Sequence, residues 1–419
     1  MKNHLAIAFL LISIQTFSQN QEIGKSFIQS LLQEKNYAKA YTFFDETVKS
    51  QMSESVLKDT EQQLNSQLGN FNKIIEFNNE SDTYFFYSDF ENMKLDIKIT
   101  FNENSKIIGF FFTPHKEFKT QNSLGNDLNI KSNNVELKGT LLIPNENNLK
   151  KLVVFVHGSG PQDRNETIFE NKPFKDIAEN LFQKGVASYR FDKRTLSNLE
   201  SFNDKITIDD EVTSDVINIV NYFKQEKEYA DYEIIVLGHS LGANLLPRIA
   251  NQTNQISKII LLAGNARPMD KLIIEQYEYL YKQSPTKELQ TATNSLKEQV
   301  AFLNSKEFNV NTPKEKLPLN LPSYYWKSIL DYNPLQEVQK VKIPILILQG
   351  ERDYQVTMQD FNLWKNTLKT NKTATFISYL KLNHLFISGE SPSTPKEYSI
   401  KGSVDEKVIN DIKDFISTK

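Results

Sequence analysis

Hydrophobic and polar positions divide this chain into two regions with different rhythms. Between residues 21 and 61 apolar side chains recur at helical spacing: Phe27, Leu31 and Leu32, then Ala38, Tyr41, Phe43 and Phe44. From Phe71 to Thr113 the pattern shortens into aromatic and β-branched runs, Tyr84 to Tyr87, Leu95 to Phe101 and Ile107 to Phe112, divided by Asn- and Ser-rich turns. Such runs predict an antiparallel meander after two or three helices, a small α+β domain ending near Pro114. Beyond Leu137 the pattern alternates. Strands are expected at Leu152–Val156, Val186–Phe191, Ile234–Leu237, Ile259–Leu262, Ile345–Leu348 and Thr375–Tyr379. Helices are expected between and after them, at Lys175–Gln183, Asp209–Phe223, Gln359–Leu368 and Asp405–Phe415. Parallel strands need crossovers, so this alternation predicts an α/β domain whose mostly parallel sheet carries helices on both faces. One polar interval, about Ala266 to Pro334, is too long for a structureless loop and predicts a helical cap insertion.

The first residues follow another logic. Lys2 precedes an uncharged apolar run from Leu5 to Ile14, and a polar stretch from Gln15 to Asn20 follows. That order matches a secretory signal peptide, with an apolar run too short to span a bilayer comfortably. The expected layout is a leader at 1–19, the α+β domain at 20–120 and the α/β domain at 121–419, the cap occupying about 266–334. Export to the periplasm or the extracellular space is expected, without stable membrane insertion. Composition agrees with a globular chain: 39% hydrophobic and 24% charged over 419 residues. A net charge of −3 provides no cationic field for nucleic acid. Zero cysteines exclude disulfides, thiolate metal sites and cysteine nucleophiles, which leaves five histidines for imidazole chemistry.

The strand from Tyr232 to Leu237 runs into Gly238-His239-Ser240-Leu241-Gly242 and then a helix-compatible stretch from Ala243 to Ala250. This is G-x-S-x-G between strand and helix, the context in which a serine is thrust out at the head of a sheet. A serine hydroxyl needs a base. His4 lies in the leader and His115, isolated near the linker, belongs to the other domain. His157 and His239 sit inside glycine turns, where bracing the loop is the expected role. His384, just after the strand Thr375–Tyr379, remains as base. Asp353, in the turn after Ile345–Leu348, is the expected orienting carboxylate, ahead of Glu351. The order Ser, Asp, His is that of α/β-hydrolases. An oxyanion hole is expected from the backbone N–H of Leu241 and of Ser159, the latter in His157-Gly158-Ser159-Gly160-Pro161 after a strand.

Together, Gly238 to Gly242, His157 to Pro161, Asp353 and His384 resemble the α/β-hydrolase superfamily over about two-thirds of the chain. The stretch from His157 to Arg164, with Arg190-Phe191-Asp192-Lys193-Arg194, is similar to a branch of bacterial serine esterases and dienelactone-hydrolase-like proteins. Some members of that branch carry a small N-terminal α+β domain of undefined function. Relatives usually follow Asp-Lys-Arg with glycine, whereas Thr195 and Leu196 follow here. The expected activity is hydrolysis of a small-molecule carboxylic ester through an acyl-enzyme, with no metal or organic cofactor. Competing readings are a serine peptidase or acyltransferase on the same fold, or a cell-envelope binding protein with a vestigial hydrolase domain. In the last, the N-terminal domain binds a partner or an envelope component.

Arginine usage adds a separate hint. The chain has 43 lysines and six arginines, yet Arg164, Arg190, Arg194, Arg267 and Arg352 all fall at or just beyond expected strand ends. A planar fork is needed where carboxylates are gripped bidentately. Either these arginines form an ion-pair lattice with Asp163 and Asp192, or they recognise a substrate carboxylate. Arg164→Lys separates the two: the lattice predicts a lower unfolding midpoint with unchanged substrate preference, and an altered preference sinks it.

Overall fold

The computed structural model describes residues 12–80, 82–115, 124–198, 203–390 and 392–418. Residues Gln15–Ser123 and Leu124–Lys419 form two compact units. The leader expected at 1–19 falls mostly on residues 1–11, outside the described residues, as does the expected domain boundary at 120/121; Ile12–Ile28 is helical. Among the described residues no helix is long and apolar enough to cross a membrane.

In the smaller unit, β1 (Phe71–Glu80), β2 (Thr83–Phe90), β3 (Lys94–Phe101) and β4 (Ile107–Thr113) form an antiparallel meander. Alternate residues of its strands, such as Phe86, Ile97 and Ile99, meet Phe27 and Leu57 from the helices, and Phe44 from the turn between two helices, in one buried cluster. The helix Glu54–Leu68 starts where the Ser53 side chain accepts from Val56 N–H and stops at Gly69, whose φ of 75° few other residues adopt. His115 departs from expectation. Rather than standing isolated, it stacks on Tyr87 with ring centroids 3.6 Å apart and lies 3.1 Å from the buried Asp96 carboxylate.

The larger unit is built on an eight-stranded sheet. Its members are β5 (Asn126–Asp127), β8 (Gly139–Leu142), β9 (Lys151–Val156), β10 (Ala187–Phe191), β11 (Glu233–His239), β12 (Ile256–Leu262), β13 (Ile345–Gly350) and β14 (Ala374–Tyr379), while β6 (Ile130–Ser132) and β7 (Val135–Leu137) pair separately. The sheet order is β14-β13-β12-β11-β9-β10-β8-β5, parallel from β14 to β10 and antiparallel at the β8 and β5 edge. The central strands are apolar at nearly every position because both faces are covered. Val154, Val236, Leu261 and Ile347 face a layer containing the helices Ser214–Gln225, Leu241–Gln252 and Met358–Thr367. Phe155, Leu237, Ile260 and Leu348 face Pro173–Gln183 and Glu406–Ser417. The last helix places Val408, Ile409, Ile412, Phe415 and Ile416 on one stripe, the spacing of a one-sided helix. Strands β5 and β8 escaped the sequence pattern because they are short and β8 opens on a glycine. A Cβ at Gly139 would lie 2.3 Å from the Tyr189 hydroxyl.

Chain order sets where a ligand can bind. After β9 the chain adds β10 on one side, then returns to add β11 on the other, so the strand order reverses at β9. Crevices at such reversals open beyond the carboxyl ends of the strands. Between β12 and β13 the helices Met269–Gln283, Lys287–Leu303 and Ser323–Leu330 occupy the interval expected to form the cap.

The helix Leu241–Gln252 starts hard against β9. A Cβ at Gly242 would meet the Val156 carbonyl oxygen at 2.3 Å and that of His157 at 2.6 Å. Since backbone cannot swing aside like a side chain, Gly242→Ala is expected to cost about 3 kcal/mol of unfolding free energy, read by urea titration.

Candidate active site

The carboxyl ends of β9, β11 and β13, and the loop after β14, converge on one cleft. Gly158, Ser159, Ser240, Leu241 and His384 line it, together with Asn265, Met269, Leu272, Ile273, Gln276, Tyr277 and Leu280 from the segment after β12. Ser240 sits at the turn between β11 and the helix Leu241–Gln252 with φ of 52° and ψ of −118°. A positive φ on a non-glycine residue costs about 1–3 kcal/mol, and it persists here because the surroundings hold it. Ser240 N–H donates to Leu262 O at 2.9 Å, and a Cβ at Gly238 would lie 2.6 Å from Ala243 N.

His384 and Asp353 are both buried. His384 Nδ1 donates to Asp353 Oδ2 at 2.6 Å. Asp353 Oδ1 accepts from the N–H groups of Gln355 and Val356 at 2.8 and 3.0 Å, and Oδ2 also accepts from Gln349 Nε2 at 3.1 Å. The His384 loop is tied to the Asp353 turn by Arg352 N–H donating to Leu382 O, and Asn383 Oδ1 caps Leu385 and Ile387 N–H. Glu351, the competing carboxylate, points elsewhere and accepts from Ser378 Oγ at the surface.

The loop after β9 is fastened from both sides. Gly158 N–H donates to Glu166 Oε1 at 2.7 Å, and Gly158 O accepts from Lys193 Nζ at 2.9 Å. The Ser159 and Leu241 N–H groups have no acceptor among the described residues. Glu166 was not legible as a site residue: it is buried at a φ of 53° in an irregular loop, with no spacing rule to expose it. Its second oxygen lies 3.0 Å from His239 Nδ1, and His239 Nε2 donates to His384 O at 2.9 Å. Nε2 thus has a hydrogen-bond acceptor, and Nδ1 has a carboxylate at ion-pair distance though outside hydrogen-bond geometry, which fits an imidazolium. Burial opposes that charge, but the Glu166 carboxylate overcomes it and the pKa of His239 rises. Glu166 itself is pushed up by burial and pulled further down by His239, ending low.

All six arginines have partners within the protein. Arg164 grips Asp192 bidentately and reaches Asp127; Arg190 donates to Asn165 Oδ1 and Arg194 pairs with Asp215. Arg248 pairs with Asp209, Arg267 with Asp360 and Glu275, and Arg352 with Glu397. Asp192 joins this lattice as expected, but Asp163 does not. Its carboxylate accepts from the N–H groups of Asn165 and Thr167 and from the Thr167 hydroxyl, because it closes its own loop. Of the cap aromatics, Tyr277 lines the cleft, whereas Tyr279 stacks on Tyr354 and the buried Trp326 donates to Pro318 O.

His157 supplies a pH handle. Burial pushes its pKa from 6.5 down to about 4, while Nε2 lies 3.0 Å from Asp163 O. The unfolded chain therefore binds more protons on this residue between those values. Its contribution is fully present above pH 6.5 and declines towards pH 4, by about 3 kcal/mol in all. Urea unfolding at pH 7 and pH 4.5 should show a smaller acid-side loss in His157→Gln than in the parent.

Comparison with known proteins follows the same division of the chain. The family described as serine aminopeptidase, S33 matches residues 147–390, and a family described as a protein of unknown function matches residues 26–110. Esterase EstD of Thermotoga maritima is 32% identical over 414 residues, covering 96% of this chain and 97% of its own. Among solved structures, Est1E of Butyrivibrio proteoclasticus is 16% identical with a TM-score of 0.45, over 70% of this chain and 100% of its own. A Pyrococcus furiosus esterase is 17% identical with a TM-score of 0.43, over 70% of this chain and 90% of its own. With the family match extending over more than half its length, the chain belongs to the serine aminopeptidase S33 family of α/β-hydrolases and is a serine hydrolase.

Proposed function

We propose that this protein is a carboxylesterase that hydrolyses uncharged small-molecule esters through an acyl-enzyme on Ser240. The observation that carries the reading is the tautomer imposed on His384. An ionised Asp353 can only accept, so Nδ1 carries the proton and Nε2 keeps its lone pair for the cleft shared with Ser240. Ser240 Oγ attacks the ester carbonyl as His384 takes its proton, and the alcohol leaves with that proton. Water then attacks the acyl-enzyme by the same relay. The unengaged N–H groups of Ser159 and Leu241 would receive the developing oxyanion.

The cleft argues for neutral substrates. Among the described lining residues there is no lysine or arginine, and the one lining imidazolium, His239, is already paired with Glu166, so a substrate carboxylate finds no free counter-ion. The one lining carboxylate, Glu166, is already committed to Gly158 and His239, which leaves none for the α-ammonium group of an aminopeptidase substrate. The relative's description as an esterase points the same way. An apolar wall of Met269, Leu272, Ile273 and Leu280 beside Asn265 and Gln276 suits a short acyl or alkyl group next to a neutral polar one.

Hydrolysis of acetyl, butyryl and octanoyl p-nitrophenyl esters by the full chain tests this. Ser240→Ala should lower kcat by about 10³-fold or more without unfolding the protein. Turnover of aminoacyl-anilides in preference to every ester would overturn the assignment.

A further inference from the structure

The motif Arg190-Phe191-Asp192-Lys193-Arg194 contains a cation that the reaction has not yet used. Asp192 is taken by Arg164, and Arg194 by Asp215. Lys193 is buried, with 3% of its side chain exposed, and its ammonium lies 2.7 Å from Glu211 Oε1 and 2.9 Å from the Gly158 carbonyl oxygen. Glu211 is equally buried, and its other oxygen accepts the hydroxyl of Tyr325 at 2.5 Å. Tyr325 belongs to the helix Ser323–Leu330 of the cap insertion. Burial and the neighbouring Glu211 push its phenol well above the ordinary range, so it stays a donor.

Gly158 O and Ser159 N–H belong to one peptide plane, and in a trans peptide they point in opposite directions. An ammonium fixed on the carbonyl therefore aims the N–H towards the cleft, and by polarising the amide it strengthens that N–H as a donor. A buried ion pair is weak evidence of stabilisation, so its placement calls for another reason. We infer that Lys193 is a positioning residue for the oxyanion hole, and that Glu211 and Tyr325 make its placement depend on the seating of a cap helix. The inference rests on the reading of Ser159 N–H as an oxyanion donor. Closing the cap helix onto Glu211 then sets Lys193, Lys193 sets the Gly158–Ser159 peptide, and the substrate meets a donor already aimed.

The test compares the full-length parent with Lys193→Met and Tyr325→Phe. The readouts are kcat and KM for p-nitrophenyl butyrate and inhibition by an alkyl trifluoromethyl ketone, whose serine adduct places an oxyanion in the hole. Loss of a whole oxyanion donor costs about 10²–10³-fold, so weakening one by Lys193→Met should lower kcat about 30-fold. The ketone should weaken by a similar factor while KM stays within about two-fold, a split that general loosening of the fold does not produce. Tyr325→Phe should show the same pattern at about three- to five-fold. Should Lys193→Met fail to fold because Glu211 is stranded, the double variant Lys193→Met/Glu211→Gln removes both charges and carries the same expectation. If neither folds, Tyr325→Phe decides. A folded variant whose kcat and ketone affinity both match the parent overturns the inference, as does a fall in kcat with ketone affinity unchanged. A parent enzyme that the ketone does not inhibit overturns the acyl-enzyme reading instead.

Discussion

The close approach between the start of the helix Leu241–Gln252 and the end of β9 is the constraint on which the site depends. Only a residue without Cβ fits at Gly242, because the Val156 and His157 carbonyls occupy the space a side chain would need. That contact brings two backbone segments, separated by some eighty residues of sequence, close enough for Ser159 and Leu241 to line one cleft. It also drives Ser240 into a left-handed conformation, strained but locked by its hydrogen bond to β12. The strain is local, whereas the sheet holding it is buried on both faces. Such a division lets a rigid core keep an unfavourable turn in place.

Around this contact lies an unusual density of buried charge. Glu166 with His239, Lys193 with Glu211, and Arg194 with Asp215 all lie within the protein, each pair at close range. Removing so many ions from water is costly, and apolar replacements of the same shape could serve stability as well or better. What apolar groups cannot do is fix the direction of a backbone carbonyl or N–H. Two of these pairs act on Gly158, one through its N–H and one through its oxygen. Gly158, where a Cβ would lie 3.2 Å from Glu166 Oε1 and from Ser240 Cβ, is thereby held from both sides. The same logic explains the arginines. In a chain that uses lysine as its ordinary cation, arginine appears where a bidentate fork must join two loops, as Arg164 joins the loop after β9 to Asp192 after β10.

The sequence by itself determined a good deal. Continuous apolar runs such as Val153 to Val156 and Ile345 to Leu348 can only be buried strands in this setting. Glycines flanking a serine between strand and helix identify the tight turn that presents Ser240 at the head of the sheet, because the steric demand is local and falls on fixed positions. With no cysteine and five histidines, elimination also pointed to His384, and the structure places it against Asp353. Short or glycine-broken elements carried too little pattern, so β5 and β8 went unread, and His115 looked isolated because its partners lie on other strands. The engaged states of Glu166, Lys193, Glu211 and Tyr325 were decided only by tertiary structure. A buried charge leaves no period in the sequence; its role comes from what folding brings opposite it, and here those partners are 8 to 114 residues away. Local sterics write themselves into local sequence, whereas electrostatic partnerships exist only once the chain has closed.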